Sequence, residues 1–450
     1  MKNLNMTQGN PLKLLFSFAL PLMFGNIFQQ LYTVVDTAII GRGVGLDALA
    51  ALGTVDWLNW LWLGIAQGFT QGFCVRISQK FGQSDTEGLR HIAGQSAVAS
   101  VIIALVCTLA GLCALPLFVW MLRIPEDLQT LASLYFSILM AGFPAVMFYN
   151  YCSCVLRAIG DSKTPLYAMI AASVTNIILD ALAVFVLGWG IAGAAAATVF
   201  SQCLSGAVCA MKIWKTPVLH FGKMHLKRAG ALMRDLFRLG TPVAAKNVII
   251  ALSGMVVQSV VNAFDKSFIA GFTATNKLYG LLEIAAISYG YAVTTYVGQN
   301  YGAQQPKRIR NGMRAAVVLS LATSAVIACL MFTFGRAITM LFISPENPAL
   351  AASAGNTAFD YLCAMSVCLP LLYLLYVYQA ALQGLGDTVR SMVSGIIEFI
   401  LRVGGAIIIG FTGWRRGIFA TEVSAWIGAS IYLAISYYFS FYKHTAKKQF

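Results

Sequence analysis

The feature that most constrains this chain is the recurrence of long apolar runs. Runs of about 20 or more mostly apolar residues recur about a dozen times, separated by short polar connections. A run of that length crosses a hydrocarbon core of ~30 Å as a helix, which satisfies its own backbone hydrogen bonds in lipid. Because only 11% of the residues are charged and 58% are hydrophobic, a water-soluble fold is excluded. The chain is therefore predicted to be an all-α membrane protein.

The apolar runs predict twelve transmembrane helices. Residues 1–10 are polar and the first run is too long for a signal-peptide core, so that run is predicted to be the first span. Most Lys and Arg residues fall in connections on the side of the N-terminus, which predicts cytoplasmic N and C termini in a bacterial cytoplasmic (inner) membrane. The predicted spans are 12–40, 49–76, 89–119, 130–156, 165–187, 190–214, 236–262, 270–299, 309–334, 356–383, 388–410 and 417–442.

The chain contains an internal repeat. Because six spans is an even number, both copies enter the membrane from the same side, and parallel repeats of this kind build transporters around a central cavity. The repeat predicts a six-helix bundle at 1–214, a basic cytoplasmic linker at 215–235 and a second six-helix bundle at 236–450. The matching motifs, about 220 residues apart, are Leu15-Phe16, Pro21 and Asn26 with Leu236-Phe237, Pro242 and Asn247; Gln79, Phe81-Gly82 and Arg90 with Gln299, Tyr301-Gly302 and Arg310; Pro144, Leu156 and Gly160-Asp161 with Pro370, Leu382 and Gly386-Asp387; and Gly190-Ile191 with Gly417-Ile418.

Neither nucleic acid nor a second copy of the chain is an expected partner. The net charge of +14 is densest at 212–238, where the positive-inside rule and anionic lipid headgroups explain it, and no aromatic-interleaved basic region accompanies it. The residues Gly64, Gly68 and Gly72 lie on one helix face. This spacing predicts close packing within the first bundle rather than dimerisation, so a monomer is expected.

The sequence does not indicate an enzyme. It has no Walker A, H-E-x-x-H or G-x-S-x-G pattern. A G-x-G-x-x-G pattern at Gly188, Gly190 and Gly193 joins two predicted spans, where a tight turn explains it better than a dinucleotide site. We therefore expect no enzymatic activity and no cofactor, and we expect an ion gradient to supply the energy.

Ionisable side chains inside the predicted spans are the main functional candidates, because each costs at least ~2.5–3.5 kcal/mol at the bilayer centre. In the first half these are Asp36 and Asp180, with Asn176 one turn before Asp180. Counted from the outer helix ends at ~1.5 Å per residue, Asp36, Asp180 and Thr198 lie roughly 8–12 Å deep. The four side chains offer oxygen ligands, as a hard ion such as Na⁺ prefers, and the two carboxyl groups could equally hold a proton.

The second half does not repeat this set. The positions that match Asp36, Asn176, Asp180 and Thr198 are Val257, Arg402, Ala406 and Ala425. A purely structural device would more readily recur in both copies, so the asymmetry favours ion or substrate binding in the first half. In the second half, Glu398 and Arg402 are spaced i,i+4 and are predicted to neutralise one another. Glu283 stays a candidate, and Lys246 is predicted to extend toward the cytosolic interface.

These features resemble the multidrug and toxic compound extrusion (MATE) transporters over essentially the whole chain. The likeness rests on twelve spans in two halves and on the motifs Pro21 ahead of Gln29-Gln30-x-Tyr32-x-x-x-Asp36-x-x-x-x-Gly41, Gly160-Asp161, and Asn176-x-x-x-Asp180 with the later Thr198. The resemblance implies two six-helix lobes in a V-shaped arrangement. In the branch with an acidic N-terminal lobe, the coupling-ion site, for H⁺ or Na⁺, is formed by positions matching Asp36, Asn176, Asp180 and Thr198. The adjacent drug cavity is lined by positions matching Gln29, Tyr32, Asn150, Met169 and Gln202.

The resemblance implies export of lipophilic, often cationic, drugs in exchange for H⁺ or Na⁺ by alternating access, with organic cations and the lipid bilayer as partners. Another branch of the family places cation-binding acids in helices 7 and 10. Here helix 7 has no Asp or Glu, and helix 10 has none after Asp360 at its outer end, so no second-lobe ion site is expected. One alternative is a flippase for lipid-linked precursors, which would be expected to have extra spans or a cationic cavity. A receptor or an intramembrane enzyme would need a sensing domain or a catalytic set.

Overall fold

The computed structural model describes residues 5–122, 124–227, 229–340 and 348–446, and these residues are mostly helical with no β-strand. The all-α prediction is therefore confirmed. The first half contains α1 (Pro11–Gly43), α2 (Leu46–Gly82), α3 (Thr86–Cys113), α4 (Leu115–Met121), α5 (Glu126–Ala141), α6 (Phe143–Ala158), α7 (Lys163–Ala181), α8 (Gly190–Trp214) and the short α9 (Lys223–Leu226). The second half contains α10 (Gly230–Val261), α11 (Lys266–Gly302), α12 (Pro306–Met340), α13 (Pro348–Leu385), α14 (Thr388–Thr412) and α15 (Gly417–Ala446).

Every predicted span coincides with a helix or a pair of helices. Ten of the described helices are long and apolar enough to cross a bilayer, and the bent pair of α5 and α6 adds an eleventh. The remaining predicted span is α11, a helix of 37 residues that carries Lys277 and Glu283. Several helices are longer than predicted, because a helical backbone continues into polar sequence beyond the apolar run. Helix α2, for example, ends at Gly82 rather than at residue 76.

Two predicted spans are broken at prolines. The span predicted at 89–119 ends at Cys113, and Pro116 lies in the first turn of the short helix α4 that follows. The span predicted at 130–156 bends by 43° where α5 gives way to α6, which begins next to Pro144. Proline has no backbone N–H and its ring clashes with the preceding turn, so Pro116 and Pro144 lie in the first turn of a new helix. Pro21, Pro242 and Pro370, in contrast, lie inside continuous helices.

The end of the fifth predicted span is also irregular. Helix α7 passes into a π-helical turn, Leu182–Val186, instead of ending as an α-helix. The Leu187 N–H donates to the Leu182 carbonyl over 2.9 Å, five residues back. This turn begins two residues after Asp180, and π turns are frequent near functional sites.

One compact unit is formed mainly by Leu20–Ala244. Its apolar core includes side chains of α2, α3, α5, α6 and α8. Within this core, Trp62 of α2 meets Phe143 of α6 edge to face, with ring centroids 6.2 Å apart. The helices that carry the candidate site therefore stand on a packed apolar scaffold.

The glycine face of α2 packs inside this unit. A Cβ atom on Gly68 would lie 2.3 Å from the Cα of Ala244, and one on Gly72 would lie 2.5 Å from the Cα of Gly240. No side chain fits at these distances, so glycine permits α2 and the beginning of α10 to touch through their backbones. Both glycines thus pack within the chain, but Gly240 and Ala244 belong to the range predicted for the second bundle (236–450), so the prediction of packing within the first bundle (1–214) is wrong at these two positions.

The second compact unit consists of Thr7–Ala19 and the chain from Ala245 onwards. Helix α13 lies centrally in it and packs against α11, α12 and α15. Arg308 donates to the carbonyl of Gly9 over 3.0 Å and so holds the N-terminal segment against this unit. Stacked rings join α11, α13 and α15: Phe272 on Tyr361, Tyr361 on Phe419, and Phe419 on Phe268.

The Gly-Asp motif of the repeat forms the same turn in both units. Gly160 has φ +90° and Gly386 has φ +89°, a left-handed conformation that favours glycine. Each aspartate then caps the helix that follows it. The equivalent hydrogen bonds run from Asp161 N to Leu156 O and from Asp387 N to Leu382 O, both 2.9 Å, and from Thr164 N to Asp161 Oδ1 and from Arg390 N to Asp387 Oδ1.

Replacing the turn glycines should destabilise each unit. We expect Gly160→Ala and Gly386→Ala each to lower the free energy of unfolding by ~1–2 kcal/mol, because a Cβ atom is strained in the left-handed region. Gly53→Ala is the control, since Gly53 lies within α2 with open space around it and alanine favours the helix there. The measurement is the melting temperature of the purified protein in detergent. Either turn variant melting at or above the wild-type temperature would contradict the assignment.

Candidate functional site

Four polar side chains of the first unit are carried by three helices. Asp36 lies on α1, Asn176 and Asp180 lie one turn apart on α7, and Thr198 lies on α8. Asp180 is fully buried, Asn176 is 1% exposed and Asp36 is 7% exposed, whereas Thr198 is half-buried. The apolar packing of the helices thus holds two carboxyl groups and a carboxamide away from solvent.

The structure brings these four side chains together in two contacts. The Asn176 amide nitrogen donates to the Thr198 hydroxyl over a long 3.5 Å. The carboxyl groups of Asp36 and Asp180 lie close enough to interact electrostatically. Helix α7 therefore contributes to both contacts, with Asp180 toward α1 and Asn176 toward α8.

The site has more buried acceptors than donors. Four solvent-excluded oxygens receive no hydrogen bond from any residue in the described part of the chain: Asp36 Oδ1, both carboxylate oxygens of Asp180, and Asn176 Oδ1. Two ionised carboxylates in contact repel strongly in apolar surroundings, and neither has a proton to donate. A shared proton or a small cation would remove that repulsion. The oxygen-only ligand set suits a hard cation, and the carboxyl pair alone suffices for a proton.

Two further side chains near this pair were not among the predicted site residues. Asp56 of α2 is close enough to Asp36 for their carboxylates to interact electrostatically, and Tyr135 of α5 lies in the field of Asp36, Asp56 and Asp180. The rule that singles out acids inside apolar runs would have found Asp56, which falls within the predicted span 49–76. No sequence pattern distinguishes Tyr135 from other core tyrosines.

The five predicted substrate-binding residues have different surroundings. Tyr32 lies beside Gln29 and near both Asp36 and Asp180, so α1 places these two side chains next to the carboxyl pair. Met169 of α7 faces Gly25 of α1, because a Cβ atom there would lie 3.9 Å from the Met169 Cβ.

The other two predicted substrate residues have no shared contact. Asn150 donates to the Val146 carbonyl of its own helix over 2.9 Å. Gln202 lies one turn beyond Thr198 on α8, and its side-chain oxygen is buried without a hydrogen bond from the described residues. The substrate roles of all five residues stay predictions.

The second unit buries charges of both signs. Arg402 of α14 contacts Glu398 over 3.5 Å, which confirms the predicted pair, but Glu422 of α15 is the closer partner at 2.8 Å. The i,i+4 pattern could not show Glu422, because it belongs to another helix. Lys246 is only 6% exposed and lies in the field of Glu398, so the prediction that it extends toward the interface is wrong. A nearby glutamate compensates its charge inside the unit.

Glu283 is held differently from the other buried acids of the second unit. The hydroxyl of Tyr279, one turn away on α11, donates to its carboxylate over 3.2 Å, and the hydroxyl of Tyr376 on α13 donates to the same oxygen. Hydroxyl donors stabilise a carboxylate without neutralising it. In the second unit, Glu283, Glu398 and Glu422 thus have protein partners, whereas three of the four Asp36 and Asp180 oxygens in the first unit have none among the described residues.

Breaking the arginine cluster should destabilise the second unit. We expect Arg402→Met to lower the free energy of unfolding by about 3–5 kcal/mol, because it leaves Glu398 and Glu422 buried beside an apolar side chain. The matched control is Arg416→Met, whose partner Asp360 lies 3.1 Å away at an exposed position. Thermal unfolding in detergent compares the two. Equal melting temperatures for the two variants would mean that the buried cluster contributes no more than a surface ion pair.

The chain matches one protein family and several known proteins. The family model MatE matches residues 21–182 and 242–408, one segment in each repeat. The chain is similar to "Probable multidrug resistance protein YpnP" of Bacillus subtilis (strain 168), with 29% identity over 430 residues that cover 95% of this chain and 92% of the relative. It is also similar to "Probable multidrug resistance protein YoeA" of the same organism, with 28% identity over 340 residues and 73% of each chain covered.

A solved structure supports the architecture. "Crystal structure of MATE in complex with MaL6" superposes with a TM-score of 0.90 and covers all of both chains at 23% identity. At this identity the likeness concerns the fold alone. It confirms the predicted fold class of twelve helices in two lobes.

Proposed function

We propose, from the premise that the chain belongs to the MatE family, that it is a multidrug efflux antiporter. The family is one of transporters, so the chain is a transporter and not an enzyme. The proposed substrates are lipophilic organic cations, and the exchanged ion is H⁺ or Na⁺. Relatives named as probable multidrug resistance proteins, the first of which spans almost the whole chain, support this proposal.

The observation that carries the proposal is the carboxyl pair of Asp36 and Asp180. These groups approach one another in the buried interior of the first unit, where the described residues donate no hydrogen bond to three of their four oxygens. A permanent structural site would supply an arginine, a lysine or backbone N–H groups, as Arg402 does in the second unit. A carboxyl pair without fixed hydrogen-bond donors is suited to reversible binding of a proton or a small cation.

The coupling follows from the charge of this pair. With a proton or cation present, Asp36 and Asp180 can remain in contact; without it, their repulsion favours a conformation in which water or a cationic substrate reaches them. Alternating access then exchanges an ion from outside for a substrate from inside. Each net positive charge moved inward contributes about 2.3 kcal/mol per 100 mV, or about a 50-fold substrate gradient.

The substrate would bind beside the ion pair rather than far from it. Tyr32 offers an aromatic face to a cation, and Gln29 offers a polar edge next to it. Met169 supplies an adaptable apolar surface of the kind used by sites that accept many substrates. We assign Asn150 and Gln202 to the same cavity on the basis of the family resemblance, as residues that fix orientation.

The flippase alternative is less well supported. A site for phosphate-bearing lipids needs basic side chains free to meet the ligand. Within the described part of the chain, the charged side chains that act on Asp36 and Asp180 are acidic. Among the buried bases, Arg402 and Lys246 lie beside glutamates, and Arg157 lies on α6 near Cys154 and Cys209 rather than near the carboxyl pair. An acidic, aromatic site favours a cation.

The proposal includes topology and organisation. We place the chain in a bacterial cytoplasmic membrane with both termini in the cytoplasm, because its basic residues concentrate in loops on that side. We also propose that it is a monomer. We assign 1–214 and 236–450 to the two lobes and 215–235 to the linker. We propose no cofactor beyond the coupling ion.

Neutralising either carboxyl group should abolish coupled export. We expect Asp36→Asn and Asp180→Asn each to raise the accumulation of a fluorescent lipophilic cation to the level of cells without the transporter, because an amide neither titrates nor binds a cation as a carboxylate does. Asp127→Asn is the matched control, since Asp127 is an exposed acid at the start of α5. Membrane levels of all variants are compared by immunoblot. Unimpaired export by both site variants would remove the coupling role.

The same assay identifies the ion. Export that follows external pH at constant Na⁺ indicates H⁺, whereas export that follows Na⁺ at constant pH indicates Na⁺. Thr198→Val then separates the two ligand sets, because it removes one oxygen and leaves both carboxyl groups in place. A rise in the half-saturating Na⁺ concentration supports a four-oxygen Na⁺ site, and unchanged export points to the carboxyl pair alone.

A further inference from the structure

A second cluster of metal-ligating side chains lies where the two repeats are joined, and we call it the linker triad. It consists of Glu87 and His91 on α3 and His225 on the short helix α9. The Glu87 Oε2 and His225 Nε2 atoms are 3.1 Å apart, and the rings of His91 and His225 meet edge to face with centroids at 4.6 Å. One ligand atom from each residue lies within 4.8 Å of the other two.

The triad is built by contacts that do not involve its own ligand atoms. Glu87 and His91 are spaced i,i+4 at the start of α3, so they share one helix face. One turn further on, the Gln95 amide nitrogen donates to the carbonyls of His225 (2.9 Å) and Lys227 (2.8 Å). A Cβ atom on Gly94 would lie 2.7 Å from the His225 carbonyl oxygen, so the linker backbone is pressed against α3. His225 is therefore positioned over α3 by its backbone.

The carboxylate of Glu87 is oriented and accessible. Arg90 donates to Glu87 Oε1 over 2.9 Å and leaves Oε2 directed at His225. The Glu87 side chain is 62% exposed, whereas that of His225 is 10% exposed. A cation reaching the triad would meet the carboxylate first and the buried imidazole last.

We propose that the linker triad binds one divalent transition-metal ion, best matched by Zn²⁺, through Glu87 Oε2, His225 Nε2 and a ring nitrogen of His91. Two imidazoles and one carboxylate form a mixed nitrogen and oxygen set that Zn²⁺ accepts, whereas Mg²⁺ and Ca²⁺ prefer oxygen alone. A water molecule completes a tetrahedral site. The Glu87 and His225 ligand atoms already stand near the spacing that Zn²⁺ bonds of ~2.0–2.2 Å require, and the exposed Glu87 side chain can adjust.

Metal binding changes one hydrogen bond of the linker. The backbone N–H of Gly222 donates to His225 Nδ1 over 3.0 Å, so the ring proton lies on Nε2 and points to Glu87. A metal ion on Nε2 displaces that proton, and the neutral ring then carries its proton on Nδ1. Because a protonated Nδ1 cannot accept a hydrogen bond, the Gly222 N–H then donates to water instead. The result is a metal bridge from α3 to the segment between the repeats, in place of the Glu87–His225 hydrogen bond and in addition to the Gln95 bonds.

The test uses the purified full chain in detergent micelles, freed of any histidine tag and stripped with a chelator. Zn²⁺ affinity is measured by competition with a chromophoric chelator, and Co²⁺ substitution reports tetrahedral geometry from its visible absorption. We expect one Zn²⁺ per chain. We expect Glu87→Gln, His91→Gln and His225→Gln each to weaken binding at least tenfold. His220→Gln is the matched control, because His220 is a linker histidine whose described contact is with the Trp214 carbonyl.

Thermal unfolding separates lost metal binding from lost folding. Zn²⁺ should raise the melting temperature of the wild type and of His220→Gln, but not that of His91→Gln, and the three should melt alike in chelator. If His225→Gln fails to fold, His91→Gln still tests the proposal. This variant removes only the ring contact with His225 and keeps the hydrogen bonds from Gln95 to the His225 and Lys227 carbonyls. Substoichiometric Zn²⁺ binding, triad variants with wild-type affinity, or an equal loss in His220→Gln would each overturn the proposal.

Discussion

The cost of an unpaired charge in apolar surroundings organises both units of this protein. In the second unit the compensation is permanent, because Arg402 forms ion pairs with both Glu398 and Glu422. In the first unit, Asp36 and Asp180 lie near one another, and three of their four carboxylate oxygens receive no hydrogen bond from the described residues. The same constraint therefore gives a stable scaffold in one copy of the repeat and a site that depends on a mobile ion in the other.

Most of the fold could be predicted from the sequence, because lipid permits few solutions for a backbone and apolar length alone locates the helices. The predicted helix bounds differ from the structure where a proline interrupts a long apolar run. Pro116 and Pro144 divide helices that an apolar pattern reads as continuous. The Gly-Asp turns were visible as a repeated motif, and the left-handed φ of Gly160 and Gly386 gives the reason that glycine occupies both.

The site was only partly predictable. Acids inside apolar runs are conspicuous, so Asp36 and Asp180 could be identified from the sequence, and the spacing on α7 added Asn176. What the sequence could not supply is the partner across helices, because contacts between distant segments depend on how the helices pack. Glu422 and Tyr135 both belong to this class. Asp56 is different, because it lies within the predicted span 49–76, where the rule that identifies Asp36 identifies it equally.

The π-helical turn at Leu182–Val186 sets the angular relation between two parts of the candidate site. Asp180 precedes this turn and Thr198 follows it on the next helix, so the wider turn determines how the chain leaves α7 and enters α8. Deleting one residue would allow ordinary α-helical bonding and rotate the following backbone by about 100°. The length of the π-helical turn therefore sets the rotation of α8 relative to α7, and with it the orientation of Thr198 relative to Asp180.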